Sequence, residues 1–481
     1  MRAAGLGGVT AMSSAGGIVP PMPQTRPPSP ATVDLVYFDA GGGHRASATA
    51  LKAVLEARQP SWTVRMVDLF AVLDPQARFQ RLTGMAPADY YNRKLARGWT
   101  FGMAQELKVL QFGIRLLHTR LIDALHAHWS RTQPDAVVSL VPNFNRCLYE
   151  SVRAARPSAP YATVLTDLAD TPPHFWIEPG QDQWFACGTA RAVEQALAAG
   201  HPRERVLATS GMILHPRFHD RPAIDRAARR AALGLDATTP VGLVLFGGHG
   251  SAKMATIARR LPDVPLILLC GRNRALARAL REMPARAPRV VVEFTPDVPD
   301  YMALADFFVG KPGPGSLSEA VAMGLPVIVE SNRWTMPQEV WNATWVREAG
   351  VGVVVPSVRD IAPAVADVTA RLPEFRTRLG TMRNRAVFEI ADWLIERVVA
   401  ATAGSARIRP EGHSGTIAAA CTAFAHFSVS LAANRPSPSG VLGVTSKPAG
   451  ASRCAVSGRA STVETSALSR RTAAGSDPAG A

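Results

Sequence analysis

The sequence predicts an α/β chain of two doubly wound, Rossmann-like domains with parallel sheets, closed by one helix that returns to the first domain. Three observations carry this. Short β-branched runs alternate with helix-length stretches between residues 31 and 400, the pattern of parallel strands joined by crossover helices. The alternation runs twice, with a break near 220–240. In each half the first strand runs into a glycine-rich turn that opens a helix.

Composition sets the outer bounds. At 481 residues, 47% of them hydrophobic and 19% charged, the chain is too long for one small module and too apolar for disorder throughout. Residues 1–31 read as a disordered leader. Their apolar stretch is interrupted by glycines and serines and then by Pro20, Pro21 and Pro23, which makes a poor signal peptide. The first domain, 32–225, takes strands at 33–38, 63–67, 136–141, 162–166 and 206–209. An arginine-rich helix at 226–233 opens the second, 226–382, with strands at 241–246, 266–270, 290–294, 307–310, 326–330 and 352–355. A long helical pattern over 375–399 follows. In it Val387, Ile390, Leu394, Ile395 and Val398 form one apolar stripe that suits packing across the first domain, so 383–400 is read as the returning helix. Residues 401–481, rich in Ala, Ser, Gly and Pro, read as a disordered tail. The alanine-rich 415–433 stretch within it, with His426, Ser428 and Ser430, falls short of a spanning helix of about 20 apolar residues.

Cys147, Cys187, Cys270, Cys421 and Cys454 are far apart and show no metal-ligand spacing, against both a disulfide framework and a structural zinc; a reducing compartment fits best. The formal charge is +15, and between 31 and 400 it is a mild excess that suits an anionic membrane surface, phosphate-bearing ligands or nucleic acid equally well.

The chemistry sits at the glycine turns. Gly41, Gly42 and Gly43 precede His44 and open a helix whose free N–H groups stabilise an anion. Gly41, Gly43 and Ala46 also satisfy a dinucleotide fingerprint, with Asp68 placed as a ribose-binding acid, which keeps an NAD-dependent oxidoreductase open. Gly247, Gly248, Gly250 and Ser251 repeat the device around His249. At 311–320, Gly315 and Ser316 lie at a helix start, and Glu319 reads either as the closing carboxylate of a capping box with Ser316 or as a ligand for ribose hydroxyls. Gln338 and Asn342, four apart, read as paired amides on one helix face, facing either a sugar or solvent.

Four of these segments together resemble a known group. The Gly41-Gly42-Gly43-His44 turn, Cys270-Gly271-Arg272-Asn273, the run 311–329 and the helix 337–343 are similar to the monogalactosyldiacylglycerol synthases and processive diacylglycerol glucosyltransferases, in the broader class of the MurG-type lipid II glycosyltransferase. The resemblance covers about 33–398. It implies a GT-B fold with a cleft between the two domains, the acceptor on the first and the nucleotide sugar on the second. It also implies inverting transfer of a hexose from a UDP-sugar to a lipid hydroxyl, without metal or other cofactor. Under it Gly247, Gly248, Gly250 and Ser251 hold the diphosphate with help from Arg272. Glu319 takes the ribose, Gln338 and Asn342 the sugar hydroxyls, and the Phe294 loop flanks the uracil.

Such a displacement needs a base for the acceptor proton and a charge sink for departing UDP. No Asp-x-Asp stands at a suitable strand end, so helix N-termini and basic side chains are the expected sink. His44 is the expected base, since an unperturbed imidazole titrates near neutrality, and Asp39 would orient it or share its role; a structural or phosphate-side His44 is the alternative. Gly42 and Gly43 would border the substrate.

The 74–131 segment interleaves nine basic residues with aromatics, which fits peripheral docking on anionic lipid as well as an ordinary solvated helical face. The expected partners are thus a UDP-sugar, a lipid acceptor and an anionic membrane rather than nucleic acid. The expected place is cytoplasmic, peripheral on the inner face of the cell membrane. A UDP-sugar epimerase on the same fold is a further alternative.

Overall fold

The structure, a computed structural model, describes residues 30–39, 42–85, 89, 103–219 and 224–407. Residues 1–29, 40–41, most of the 86–102 part of the basic segment, and 408–481 with its alanine-rich stretch lie outside them, so most of the expected disordered leader and tail falls there; at the two boundaries the expectation is corrected, since Ala31 is buried in the first core and 401–407 continue the last helix.

Two six-stranded parallel sheets form the frame. In the first, β1 (Thr32–Tyr37), β2 (Thr63–Asp68), β3 (Ala136–Ser139), β4 (Tyr161–Val164), β5 (Trp184–Cys187) and β6 (Val206–Ala208) lie in the order β2-β1-β3-β4-β5-β6. In the second, β7 (Gly242–Leu245), β8 (Leu266–Leu269), β9 (Arg289–Val292), β10 (Phe307–Gly310), β11 (Val327–Glu330) and β12 (Gly352–Val355) lie in the order β12-β11-β10-β7-β8-β9. Helices cover both faces, which is why β3, β4, β7, β8, β10 and β11 are buried at every residue. The fold is the expected one: two doubly wound, Rossmann-like halves in a GT-B arrangement.

Strand order reverses once in each sheet, between β1 and β3 in the first and between β7 and β10 in the second. At such a reversal the connections leave to opposite faces and open a crevice outside the carboxyl ends of the strands. The glycine turns after β1 and β7 and the turn after β10 all stand there.

Eleven of the twelve strands lie where the sequence places strands; the exception is β5. Its four residues, Trp-Phe-Ala-Cys, contain no β-branched side chain, and only its place between β4 and β6 makes it a strand. The single helix expected over 375–399 is two, Leu372–Gly380 and Ala386–Arg407, broken at 381–385. Asn384 makes the break: its Oδ1 accepts from Ala386 N–H at 3.1 Å and its Nδ2 donates to the Met212 carbonyl at 3.0 Å. Val387, Ile390, Leu394 and Val398 are then buried with Val33, Leu35, Leu51 and Leu55 of the first half, with Ile395 packed alongside. The helix does return across the first domain.

The second half is fastened by charge as well as packing. Asp306, nearly buried just before β10, takes Arg226 at 2.7 Å, Arg230 at 2.5 Å and Arg376 at 2.6 Å, so the Arg226–Ala232 helix is fixed to the sheet.

Candidate functional site

On the first half the site begins where β1 ends. Gly42, with φ of 80°, is the N-cap of the Gly43–Arg58 helix and supplies no side-chain cap, so the first-turn N–H groups keep their donor capacity. Gly42 and Gly43 are exposed. His44, in that first turn, is partly buried between Phe38 and Trp176, with ring centroids 6.1 and 5.8 Å away. Its Nδ1 lies 3.0 Å from the Thr166 hydroxyl, just past β4. Burial pulls its pKa down to about 4, and the Leu140 carbonyl, which favours the protonated ring, does not offset that.

Two expectations change here. The imidazole is not poised near neutrality, because its aromatic surroundings desolvate it. Asp39 does not orient it: the Asp39 carboxylate is exposed and paired with Arg45 at 2.9 Å. The orienting group is Thr166, which the sequence reading passed over although a polar residue just past the carboxyl end of a buried parallel strand is a recognisable signal. Asp68 has a local task as N-cap, accepting from Phe70 N–H at 3.0 Å.

On the second half, the turn after β7 is locked to the turn after β8. Gly247 and Gly250 have φ of 77° and 61°, and Gly250 N–H donates to the Gly247 carbonyl at 3.1 Å. Arg272 N–H donates to the Gly248 carbonyl at 2.9 Å. A Cβ on Gly271 would sit 2.2 Å from that same carbonyl oxygen, so only glycine allows the two turns to touch. Gly247 and Gly248 themselves face open space. Ser251 is nearly buried, its Oγ accepting from Lys253 N–H at 3.3 Å. Arg272 and Phe294 are brought together: the exposed guanidinium lies 4.8 Å over the exposed ring.

The turn after β10 carries the rest. The Pro314–Ala322 helix starts with Gly313 as N-cap, so Ser316 lies inside its first turn, Glu319 lies in the second, and the capping box does not form. Gly315 is exposed. Glu319 is partly buried and its carboxylate makes no hydrogen bond or ion pair to any described residue; desolvation raises its pKa to about 7.

The amides at 338 and 342 do not share a face. Pro337–Glu339 is a 3₁₀ turn and the α-helix starts only at Val340, which breaks the four-residue spacing. Gln338 stays partly buried in the turn. Asn342 is fully buried, with its Nδ2 donating to the Pro312 carbonyl at 2.8 Å and its Oδ1 lacking a partner among the described residues. As placed, it holds the 311–313 turn rather than meeting a sugar. Beside it the Lys311 ammonium lies 2.6 Å from Glu339 Oε1, and Lys253 pairs with the buried Glu330; none of these was singled out from sequence.

The 165–170 loop joins the halves. Leu168 is buried within the core of the second half, together with Met212 and Leu214. Asp167, next to Thr166, accepts from Trp176 Nε1 at 2.9 Å. Its pKa rises to about 7, chiefly through burial; Glu339 adds to the rise and Lys311 opposes it. The imidazole and the Lys311–Glu339 pair are thereby linked through two adjacent residues, across the crevice that both strand-order reversals open.

Among known proteins, no family model matches the chain. It is 28% identical over 347 residues to the probable monogalactosyldiacylglycerol synthase of Glycine max, covering 69% of this chain and 64% of that protein. It is 28% identical over 366 residues to the monogalactosyldiacylglycerol synthase of Spinacia oleracea, covering 71% and 67%. The chain therefore spans just under two thirds of the Glycine max relative. Among solved structures, MurG of Acinetobacter baumannii aligns over 77% of this chain and all of its own, at 12% identity and a TM-score of 0.48.

Proposed function

We propose that this chain, a sequence relative of the monogalactosyldiacylglycerol synthases, is an inverting glycosyltransferase that moves a hexosyl group from a UDP-sugar to the hydroxyl of a diacylglycerol-type lipid. The observation that carries the reading is Glu319, an unpartnered, partly buried carboxylate beside the β7/β10 strand reversal, where a nucleotide is expected in this topology. A ribose donates two hydroxyl hydrogen bonds, which is what such a carboxylate lacks.

In this reading the acceptor hydroxyl gives its proton to His44 as its oxygen attacks the anomeric carbon from the face opposite UDP. The bond from that carbon to the diphosphate oxygen breaks, and its electron pair leaves with UDP. The new negative charge is met by the N–H groups of the 247–251 turn and by Arg272. His44 is neutral at physiological pH, so its lone pair is ready, and the Leu140 carbonyl steadies the imidazolium as it forms. UDP-sugar is a substrate here, and the reading needs no cofactor.

The lipid side is supported by the Met103–Leu116 helix. Val109, Phe112 and Leu116, spaced three and four apart, are 70, 65 and 74% exposed on one stripe flanked by Lys108 and Arg115. A soluble face rarely leaves such a row uncovered, and an anionic bilayer matches both its apolar and its basic parts. No helix of the described residues is long and apolar enough to cross a membrane. In this reading the chain sits peripherally, on the inner face of the cell membrane.

Titration calorimetry with UDP tests the assignment of sites. Glu319→Ala loses UDP binding, whereas His44→Ala binds UDP as the wild type does and transfers about 10²–10⁴-fold more slowly. Unchanged UDP affinity in the Glu319 variant removes the nucleotide from this turn.

A further inference from the structure

At the opposite end of the first sheet, where β5 begins and the chain enters β6, lies a recess of ≈ 210 Å³ lined by Arg153, Ser158, Asp182, Trp184, Arg205 and Arg397. Parallel strands put their amino ends on the far side from the glycine turns, so it shares nothing with the crevice. Its volume is that of several waters at about 30 Å³ each, room for a small ion and a substituent.

Two guanidinium groups stack on one indole. Arg205 and Arg397 lie 4.3 and 4.6 Å from the Trp184 ring, and Trp393 meets that ring edge-on at 5.4 Å. Arg153 is fixed at the recess by its bonds to the Pro157 carbonyl and, at 3.0 Å, to the Ala159 carbonyl. Against these three cations the lining holds one acid, Asp182, which is taken by Arg205 at 2.8 Å. Arg397 is the least satisfied: it has no hydrogen bond among the described residues, only the exposed Glu396 at 3.5 Å, and its Nε–H is buried without a partner. Arg153 Nε–H is likewise buried and without a partner among the described residues. Stacking on Trp184 holds the Arg397 head in place without using its donors, and a planar guanidinium fork matches the oxygens of a phosphoryl group.

We propose that this recess binds a small dissolved phosphoryl anion, either phosphate or a phosphomonoester, as a site separate from the transfer site. The lining's net charge of +2 matches the roughly −1.5 to −2 that such an ion carries at neutral pH. Arg397 belongs to the Ala386–Arg407 helix, whereas Arg153 and Arg205 belong to the first half, so the anion ties the returning helix to the first sheet.

Thermal unfolding of the full chain tests this, with inorganic phosphate titrated against chloride at equal ionic strength and with UDP saturating throughout so that any diphosphate site is filled. The expected result is a saturable rise in Tm of a few degrees. The rise is lost in R153Q, R205Q and R397Q, measured singly so that a variant that fails to fold leaves two others, and is kept in R278Q on the exposed face of the Arg274–Glu282 helix. A parallel arm replaces phosphate by vesicles carrying a phosphomonoester lipid. No rise in the wild type, an equal rise in every recess variant, or a response to vesicles alone overturns the proposal.

Discussion

Glu319 shows what the site costs the protein. An acid whose folded pKa is raised from 4.5 to about 7 keeps, between those values, a proton that the unfolded chain has already lost. Stability therefore falls as pH rises through that window and is flat above it. Relieving the burden, Glu319→Gln should be more stable than the wild type at pH 8 by up to about 3 kcal/mol and no more stable at pH 4, as read by urea unfolding at the two pH values. The same titration should show in ligand binding. Uridine, which has no phosphate to titrate, should bind more tightly as pH rises toward 7 and then level off, and the Gln variant should show no such slope. Burial of this kind was invisible in the sequence. The residue type and its place after a glycine turn pointed to Glu319, but a helix start one turn earlier than expected was needed to rule out a capping box. His44 is the converse: its position was legible and its pKa was not, because Phe38 and Trp176 come to it from distant parts of the chain.

At the scale of elements, the turn after β7 depends on the turn after β8. Gly271→Ala should displace the Gly248 carbonyl, since a methyl group has 2.2 Å to the oxygen and the backbone at φ of 57° resists a side chain. Calorimetry should show UDP affinity lowered at least tenfold, together with a lower Tm; wild-type affinity would mean that the two turns do not act together. The Met103–Leu116 helix gives a separate test. Phe112→Asp should abolish flotation with anionic vesicles and leave UDP affinity intact, and wild-type flotation should weaken as salt rises. Salt-insensitive flotation argues against an electrostatic contribution. Elements with strong periodicity, such as the 386–398 stripe, were readable in advance. β5 was not, because its pairing with β4 and β6 rather than its composition makes it a strand. The four-residue spacing of Gln338 and Asn342 misled for a similar reason, since a proline-led 3₁₀ turn intervenes.

For the whole molecule, the repetition of strand, glycine turn and helix in both halves made two doubly wound sheets readable from one sequence, and each sheet then reverses strand order where those turns lie. What joins the halves was not readable. Leu168 seated in the second core and Asp167 beside Lys311 and Glu339 come from a loop with no periodicity and no motif. One reaction tests the proposed transfer most directly. The purified chain is incubated separately with UDP-galactose, UDP-glucose and UDP-N-acetylglucosamine in vesicles containing diacylglycerol, and the lipid product is identified by mass spectrometry and its anomeric configuration by NMR. The predicted result is a hexosyl-diacylglycerol of inverted configuration from at least one donor, its yield cut sharply in the His44 and Glu319 variants. Donor consumption that leaves the lipid unglycosylated, or a product with retained configuration, would contradict it.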